Sequence, residues 1–451
     1  MFNNIRHICF LGIGGIGMSA LARYFHARGM QVCGYDRTES AITRALIREG
    51  MQVLYTDAPS LLPSGIDLVI YTPAIGQTNR CLQQLSSTSL PVMKRAEVLG
   101  LISRQQPTIA VAGTHGKTTI SCMLAHVMRQ AGIRTEAILG GISANDNTNY
   151  LRADDAAWLV TEADEYDRSF LHLHPVMAAI TAIDTDHLDI YGTNDALLES
   201  FAAFSKNISQ HGHLLIKEGT PHQEYAGTTL TYHMNKHADY RAKNFFIQAG
   251  ECYLSVTGKL ELPSTKLGLP GKHNAENALA AAALAHLAGV NTKAISEGLS
   301  SFKGVKRRFE VCFQNEHMVY IDDYAHHPAE IQACIEAARE LFPDKQITGI
   351  FQPHLYSRTR DLAEGFASSL ALLDNLILLD IYPAREEPID GITAQWLLDQ
   401  VPMTQKKLRP KESVDDEVAQ LHPGVLITMG AGNIDTLVNA IVEQLETRYK
   451  C

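Results

Sequence analysis

The 451-residue chain lacks the features that would place it in a membrane or outside the cell. No window reaches the roughly 18 consecutive apolar residues that a membrane helix needs. The first residues, MFNNIRHICFLGIGG, contain neither a charged leader nor a small-residue cleavage site, so we expect no signal peptide. The eight cysteines form no C-x-x-C pair, which argues against a zinc site or a disulfide framework. We therefore expect a cytoplasmic protein with reduced thiols and no membrane insertion.

Positive charge is also scarce. The net charge of -10 argues against a nucleic-acid partner, which usually requires a basic surface. The basic cluster from Lys406 to Lys411 is short and is followed by the acidic run Asp415–Glu417, so we expect both on the surface. The sequence leaves open whether the protein is a monomer or a homodimer.

Three blocks of alternating strand and helix patterns indicate an α/β protein of three domains, each with a parallel sheet covered by helices. We place the domains at residues 1–105, 106–304 and 305–451. The predicted strands are Ile8–Leu11, Gln31–Tyr35, Asp67–Tyr71, Thr108–Ala112, Ala157–Thr161, Val176–Ile183, Val319–Asp322, Gln346–Phe351, Leu376–Asp380 and Val425–Thr428. The predicted helices include one from about Ser19 to Arg28 and an alanine-rich one from Ala275 to Ala288.

A glycine-rich turn follows the first predicted strand, with glycines at Gly12, Gly14, Gly15 and Gly17. Asp36 ends the next strand, and together these residues match the dinucleotide-binding fingerprint. Glycines let backbone amides approach a diphosphate, and the following helix N-terminus adds positive potential. No hydride-transfer machinery follows, so the turn indicates a diphosphate site whose ligand need not be NAD. The alternative is a tight turn that binds nothing.

A second glycine-rich loop, A-G-T-H-G-K-T-T, spans Ala112 to Thr119 between a strand and a helix predicted to start at Thr118. The common phosphate loop has a glycine where Val111 stands here, so this is a shorter variant with Gly113 and Gly116. Its backbone amides can still cradle phosphates, Lys117 can reach the outer phosphates, and the Thr118 hydroxyl suits Mg²⁺. The loop predicts an enzyme that consumes ATP.

Acidic residues follow two later strands of the same block. The first group is Glu162, Asp164 and Glu165, and the second is Asp184, Asp186, His187 and Asp189. Mg²⁺ prefers carboxylates and keeps several waters, so one or two of these residues suffice. We expect a metal role here, although an acidic run at a strand end is often only a solvated loop.

Three further segments concentrate polar residues. In Gly271–Asn277 the asparagines could bind an adenine edge or merely cap the alanine-rich helix. The segments Asp322–Pro328 and Gln352–Asp361 each end a predicted strand with histidines. Functional residues of open parallel sheets gather beyond the carboxyl ends of strands, so these two segments predict a substrate pocket.

Together these segments resemble those of the Mur ligases, over almost the whole chain and in the expected order. The resemblance depends on GIGGIGMS, GTHGKTT, EADEYDRSFL, DTDHLDIYG, PGKHNAENALAA, GVKRRFE, DDYAHHP, FQPHLYSRTRD, IYPAREEPI and GAGNI. It implies an N-terminal Rossmann-like domain that binds a UDP diphosphate, a central P-loop ATPase-type domain, and a C-terminal Rossmann-like domain. Within the family, the motifs are most similar to the branch that joins L-alanine to UDP-N-acetylmuramate in peptidoglycan precursor synthesis.

The resemblance also implies roles for individual residues. UDP-substrate binding falls to Gly12, Gly14, Gly15, Gly17 and Asp36, and metal binding to Thr118, Glu162 and His187. ATP binding falls to Gly113, Thr114, His115, Gly116, Lys117, Thr118, Thr119, Asn274, Asn277, Arg308 and Asp323. Amino-acid binding falls to Tyr324, His326, His354 and Arg358. Catalytic roles fall to Lys117, His187, His326, His354 and Arg358.

One position departs from the family pattern, and one lysine lies near a position that is functional in other members. Leu355 stands where some members carry arginine, so a carboxylate role there must pass to Arg358 or another residue. Lys206 lies near the position where several Mur ligases use a carbamylated lysine to bridge magnesium ions. The alanine-adding branch is not characterised by that lysine, so we expect a surface lysine.

Three other functions compete with this interpretation. A related ligase attaches a recycled peptide to UDP-N-acetylmuramate, but its branch departs from the pattern of Gln352–Arg360. An NAD-dependent oxidoreductase would account for Gly12–Gly17 and leave Gly113–Thr119 unexplained. A non-catalytic UDP-sugar sensor does not need the intact lysine and acids of the phosphate loop.

Overall fold

The computed structural model of the protein describes residues 2, 4–183, 191, 193–222, 225–248, 250–384 and 386–449. The chain forms two compact units. The first comprises residues 1–245, 254–268 and 276–303, and the second comprises residues 246–253, 269–275 and 304–451. No described helix is both long enough and apolar enough to cross a membrane.

The first sheet has five parallel strands in the order β3-β2-β1-β4-β5. The strands are β1 (His7–Leu11), β2 (Gln31–Tyr35), β3 (Gln52–Leu54), β4 (Leu68–Tyr71) and β5 (Val92–Lys94). Its helices are α1 (Ile16–His26), α2 (Ala41–Arg48), α3 (Arg80–Ser86) and α4 (Arg95–Ser103). Strands β2 and β3 are added on one side of β1, and β4 and β5 on its other side. The glycine turn after β1 therefore lies at the switch point where such sheets bind ligands. The predicted Rossmann-like domain is confirmed here.

The second sheet has ten strands in the order β15-β14-β13-β12-β11-β10-β6-β9-β7-β8. Its strands are β6 (Thr108–Ala112), β7 (Thr135–Ser143), β8 (Thr148–Leu151), β9 (Trp158–Glu162), β10 (Met177–Ile180), β11 (His213–Lys217), β12 (Thr228–His233), β13 (Tyr240–Gln248), β14 (Glu251–Gly258) and β15 (Leu262–Lys266). The associated helices are α5 (Lys117–Gln130), α6 (Asn194–Lys206), α7 (Lys272–Leu287) and α8 (Thr292–Ser301). Strand β6 pairs in parallel with β9 on one side and β10 on the other, so the ends of both neighbours flank the loop after β6.

The third sheet has six strands in the order β16-β17-β21-β18-β19-β20. Its strands are β16 (Glu310–Gln314), β17 (Met318–Asp323), β18 (Ile347–Phe351), β19 (Asn375–Leu378), β20 (Lys406–Leu408) and β21 (Gly424–Met429). Its helices are α9 (Pro328–Leu341), α10 (Tyr356–Asp361), α11 (Ala363–Leu370), α12 (Ala394–Gln400), α13 (Val414–Ala419) and α14 (Val438–Arg448). Strand β16 runs antiparallel to β17, whereas β17 and β18 both pair in parallel with β21. The two polar segments after β17 and β18 therefore leave the same edge of the sheet.

A shared apolar core joins the first two sheets into one unit. A single cluster of buried side chains includes Phe25 of α1, Tyr150 of β8 and Phe170. Helix α4 approaches the central region closely, because a Cβ at Gly100 would lie only 2.4 Å from the backbone oxygen of His172. Burial of apolar surface at this junction stabilises the pair of α/β layers as one body. The predicted boundaries near residues 105 and 304 lie between the three sheets and remain predictions.

Candidate active site

The glycine turn after β1 is held in place by Asp36. The Gly14 backbone N–H donates a hydrogen bond to Asp36 Oδ2 at 2.8 Å. Gly12 has φ +85°, and a Cβ there would lie 2.5 Å from Thr72 Cγ2. The positive φ and the close approach both require glycine at position 12. Asp36 therefore supports the backbone of the turn, a contact that the motif alone does not reveal.

The other side of this turn contacts Arg95, a residue that the sequence analysis did not single out. A Cβ at Gly17 would lie 3.0 Å from Arg95 Nη1. The same guanidinium lies 3.6 Å from Asp164 Oδ2, at the acidic strand end of the central sheet. Arg95 starts α4 directly after β5. The one feature of the sequence that could have indicated a functional role for Arg95 is its position directly after a strand, at the carboxyl edge of the sheet.

The phosphate loop is fastened to the end of β10. The Thr114 N–H donates to Ala182 O at 2.9 Å, and the Thr181 hydroxyl donates to His115 O at 2.5 Å. Gly113 has φ +119°, and a Cβ there would lie 2.2 Å from Thr181 Oγ1. Gly116 caps the N-terminus of α5 with φ +79°. The loop conformation thus depends on both glycines of the shortened motif.

Lys117 is the first residue of α5 and makes an ion pair with a buried acid. Its Nζ lies 2.8 Å from Glu165 Oε1 and donates to Gly113 O at 2.7 Å. Burial alone would lower the pKa of Lys117, but the charges of Glu165, Glu162 and Asp164 raise it above its ordinary value. Lys117 is therefore a permanent cation at the mouth of the loop.

Thr118 and Glu162 come together beside Lys117. The Thr118 hydroxyl donates to Glu162 Oε2 at 2.9 Å. A Cβ at Gly140 would lie 1.7 Å from that carboxylate oxygen, so the glycine leaves the space that Glu162 uses. A hydroxyl and a carboxylate oxygen are hard ligands of the kind Mg²⁺ prefers. The third predicted ligand, His187, lies outside the described residues, as do Asp184, Asp186 and Asp189.

The remaining residues of the central region occupy different surroundings. Thr119 is buried in the first turn of α5. A Cβ at Gly116 would lie 2.5 Å from Asn277 Oδ1, so this amide contacts the phosphate loop. The Asn274 amide is buried in the first turn of α7 and donates to Pro270 O at 2.7 Å. Lys206, at the end of α6, is exposed.

In the second unit, Asp323 organises the turn that carries Arg308. Its Oδ2 accepts the Phe309 N–H at 2.6 Å, and its Oδ1 accepts the Ala325 N–H at 2.7 Å. Burial raises the pKa of Asp323 to about 6, although the Arg308 charge and the two backbone hydrogen bonds act to lower it. A titratable, buried carboxylate at a strand end is typical of a functional site.

Aromatic and imidazole rings cluster beyond the ends of β17 and β18. The rings of Tyr324 and His326 have centroids 5.1 Å apart, and those of His326 and His354 are 6.4 Å apart. Tyr382, which the sequence analysis did not single out, stacks on His354 at 5.8 Å. The structure therefore brings together three of the four predicted amino-acid-binding residues, with Tyr382 as an added neighbour.

Arg358 lies in α10, the short helix that begins directly after Leu355. Leu355 adopts φ +70°, which is a strained conformation for a residue with a branched side chain. Its N–H donates to Tyr382 O at 2.9 Å, and this contact fixes the start of the helix. Within the described part of the chain, the partly buried Arg358 side chain has no hydrogen-bond or ion-pair partner. The guanidinium is thus available to a ligand.

Comparison with known proteins identifies the family. Three family models match consecutive parts of the chain: "Mur ligase family, catalytic domain" at residues 7–107, "Mur ligase middle domain" at 111–285, and "Mur ligase, glutamate ligase domain" at 307–432. The chain belongs to the Mur ligase family. Members of this family are ATP-dependent, amide-forming ligases, so the predicted enzyme class is confirmed and the oxidoreductase alternative has no support.

Individual Mur ligases match along their whole length. The chain is 45% identical over 459 residues to UDP-N-acetylmuramate–L-alanine ligase of Porphyromonas gingivalis W83, covering 98% of this chain and 100% of that one. The corresponding enzyme of Parabacteroides distasonis is 46% identical over 452 residues, covering 98% of each chain. The crystal structure of UDP-N-acetylmuramate-alanine ligase from Thermotoga maritima has a TM-score of 0.87 at 27% identity, covering 98% and 100% of the two chains.

A murein peptide ligase also matches in structure. The structure from Psychrobacter arcticus covers 98% of each chain with a TM-score of 0.73 at 23% identity. At that identity the likeness shows a common fold and no more. The predicted three-domain α/β architecture of the Mur ligases is confirmed.

Proposed function

We propose that this Mur ligase joins L-alanine to the lactyl carboxylate of UDP-N-acetylmuramate, with ATP as the energy source. The observation that carries the proposal is the contact of Lys117 with Glu165 and of Thr118 with Glu162 at the phosphate loop. An intact phosphate loop is what a ligase needs and a sugar sensor does not. The named alanine ligases of P. gingivalis and P. distasonis support the choice of amino acid. The proposed reaction consumes ATP and a UDP-linked sugar in peptidoglycan precursor synthesis, and we therefore propose a cytoplasmic location.

The chemistry follows from the poor reactivity of a carboxylate toward amines. A lactyl carboxylate oxygen attacks the γ-phosphorus of ATP, ADP leaves, and an acyl phosphate forms. The neutral alanine amine then attacks the acyl carbon, and inorganic phosphate leaves from the tetrahedral intermediate. Lys117 is suited to stabilise the charge of the transferring phosphoryl group, because its own charge is maintained by neighbouring acids.

A magnesium ion fits the residues at this loop. Thr118 and Glu162 supply a hydroxyl and a carboxylate in contact, and the absent Cβ at Gly140 leaves the space that the carboxylate occupies. These two residues would hold the ion, and His187 is the third candidate. Bound there, Mg²⁺ would neutralise phosphate charge.

The glycine turn at Gly12–Gly17 is the proposed site of the UDP diphosphate. The turn offers backbone amides at the start of α1, and Asp36 fixes Gly14 in position. The Arg95 guanidinium beside Gly17 adds a cation on the same side. Asp36 thereby supports the diphosphate site from behind the turn.

The proposed alanine site consists of Tyr324, His326, His354 and Arg358. Arginine matches a carboxylate with two parallel hydrogen bonds, and Arg358 has no competing partner among the described residues. The histidines supply proton acceptors for the amine. Arg308 and Asp323 are proposed to contact the nucleotide.

A phosphate-release assay tests the proposal directly. We expect release from ATP that requires both UDP-N-acetylmuramate and L-alanine, with mass spectrometry detecting the alanyl product. Glycine and L-serine measure how strictly alanine is preferred, and a tripeptide tests the recycling ligase. Release that depends on the tripeptide and not on alanine would overturn the proposal, and so would the absence of any amino-acid dependence.

A further inference from the structure

Glu330, in the first turn of α9, contacts two residues of the proposed site through its two carboxylate oxygens. Its Oε2 lies 3.2 Å from His326 Nδ1 and accepts the His326 backbone N–H at 3.1 Å. Its Oε1 lies 3.5 Å from Arg308 Nη1. The Glu330 and His326 side chains are each only 21% exposed, so water screens their interaction weakly.

The surroundings of His326 Nδ1 determine which ring nitrogen carries the proton. Besides Glu330, the Tyr324 carbonyl oxygen lies 3.0 Å from Nδ1. Both neighbours are acceptors, so hydrogen bonding requires the N–H at Nδ1 and leaves the lone pair at Nε2. The rings of Tyr324 and His354, which face the imidazole edge-on, hold the plane of the ring.

Glu330 is held in its ionised form. Burial alone would raise the pKa of Glu330, but the positive charge that His326 carries when protonated, the hydrogen bonds from His326 and the Arg308 charge lower it well below its ordinary value. A carboxylate behind an imidazole fixes the tautomer and stabilises the imidazolium that forms when the other nitrogen takes a proton.

We propose that Glu330 is a positioning residue that orients His326 as the base for the incoming amine, an inference that depends on the proposed ligase function. His326 Nε2 takes a proton from the alanine ammonium group: an N–H bond of the substrate breaks and the Nε2–H bond forms. The alanine amine becomes neutral and keeps the electron pair with which it attacks the acyl phosphate. The positive charge that appears on His326 is balanced by the Glu330 carboxylate.

A purely structural role for Glu330 is the competing explanation. Acids in the first turn of a helix are stabilised by the helix dipole, and Glu330 accepts a backbone N–H just before the helix start. Glu330→Gln separates the two roles, because glutamine keeps an acceptor oxygen for that N–H and removes the charge. Glu336→Gln is the matched control, since Glu336 lies on the same helix with an exposed side chain.

The experiment measures steady-state kinetics with all three substrates. A general base contributes about 10²–10⁴ in rate, so we expect Glu330→Gln to lower kcat about 10- to 100-fold. The KM for UDP-N-acetylmuramate and the melting temperature should stay near wild type, and Glu336→Gln should match wild type. In a His326→Ala background, Glu330→Gln should lower the rate measured with excess enzyme by less than about twofold, because the residue that Glu330 orients is gone.

Several outcomes would overturn the inference. One is a Glu330→Gln enzyme with the same kcat as Glu336→Gln. Another is a double variant in which the rate losses of Glu330→Gln and His326→Ala multiply in full. A third is a rise in the KM for the UDP substrate as large as the loss of kcat. If the variant does not fold, ¹⁵N NMR of histidine-labelled wild-type protein still decides, with His326→Ala assigning the signal. A protonated Nδ1 supports the proposal, and a protonated Nε2 with bare Nδ1 refutes it. A wild-type enzyme with no alanine-dependent turnover would refute the proposed function instead.

Discussion

The Lys117 ammonium group lies 2.8 Å from Glu165 Oε1, and the Glu165 side chain is completely buried. The lysine of the phosphate loop is therefore matched to a specific acid on the neighbouring strand end. Burial raises the pKa of Glu165 and the adjacent Asp164 raises it further, whereas the Lys117 charge lowers it. The ion pair keeps a cation at the loop, and the buried Glu165 carboxylate depends on that cation to stay ionised.

Replacing Lys117 by alanine should abolish turnover while leaving UDP-substrate binding nearly intact. We expect the rate to fall at least about 100-fold, the scale for removing a transition-state charge. The proposed UDP site at Gly12–Gly17 is a separate turn on another sheet, so its affinity should not change. Calorimetry with UDP-N-acetylmuramate and a phosphate-release assay measure the two effects. Lys293→Ala, at an exposed lysine of α8, is the control. An equal loss of UDP-substrate affinity would contradict the assignment of the two sites.

Replacing Gly14 by valine should weaken binding of the UDP substrate. A Cβ at Gly14 would lie 2.7 Å from Thr43 Cγ2 and 2.8 Å from Asp36 Oδ2, so the turn must shift away from its supporting acid. We expect the Kd measured by calorimetry to rise at least about tenfold, which corresponds to about 1.4 kcal/mol. Gly76→Ala is the matched control, because a Cβ there meets only Thr78 Oγ1 at 3.7 Å. Tight NADH binding without UDP-N-acetylmuramate binding would refute the proposed ligand of this turn.

The sequence predicted those parts of the fold that depend on local pattern. The strands that precede the motifs were placed within a few residues, because buried parallel strands appear as short apolar runs between turns. The predicted strand Val176–Ile183 is too long: β10 ends at Ile180. The next residues, Thr181 and Ala182, are used to bond the phosphate loop.

Contacts between distant segments could not be predicted in this way. Arg95 approaches Gly17 only because α4 starts beside the glycine turn, which depends on the strand order. Glu330 is one of many acids in first turns of helices, where the helix dipole favours them for reasons unrelated to catalysis. Its significance becomes visible only when Arg308 and His326 are seen on its two oxygens.

Nucleotide binding should weaken as the pH falls through about 6. Asp323 has a pKa raised to about 6 by burial, and its ionised oxygens accept the Phe309 and Ala325 N–H groups. Protonation puts an O–H where an N–H already points, which loosens the turn that carries Arg308. Because the nucleotide titrates in the same range, the quantity to measure is the ratio of affinities of wild type and Asp323→Asn. Calorimetry with ADP from pH 5 to pH 7.5 should show the wild-type advantage shrinking below about pH 6. A ratio that stays constant would exclude a titrating Asp323 from the nucleotide site.

Alanine binding is expected to depend on Arg358 for the carboxylate, whereas selectivity against larger amino acids is expected to depend on the pocket volume. Leu355 cannot bind a carboxylate, and Arg358 has no side-chain partner among the described residues, so it is the best available cation. A bidentate arginine–carboxylate contact in a desolvated site is worth about 2–5 kcal/mol when one partner is removed. Arg358→Ala should therefore raise the KM for L-alanine far more than the KM for ATP.

The neighbouring Arg360 provides a matched control on the same short helix. Its guanidinium is half exposed and pairs with Asp361, so Arg360→Ala should leave the KM for alanine unchanged. Steady-state kinetics in which each substrate is varied in turn separate the two arginines. In Arg358→Ala, larger amino acids should still be rejected, because their exclusion depends on volume and not on the carboxylate contact. An unchanged KM for alanine in Arg358→Ala would remove this residue from the site and assign the carboxylate to another cation.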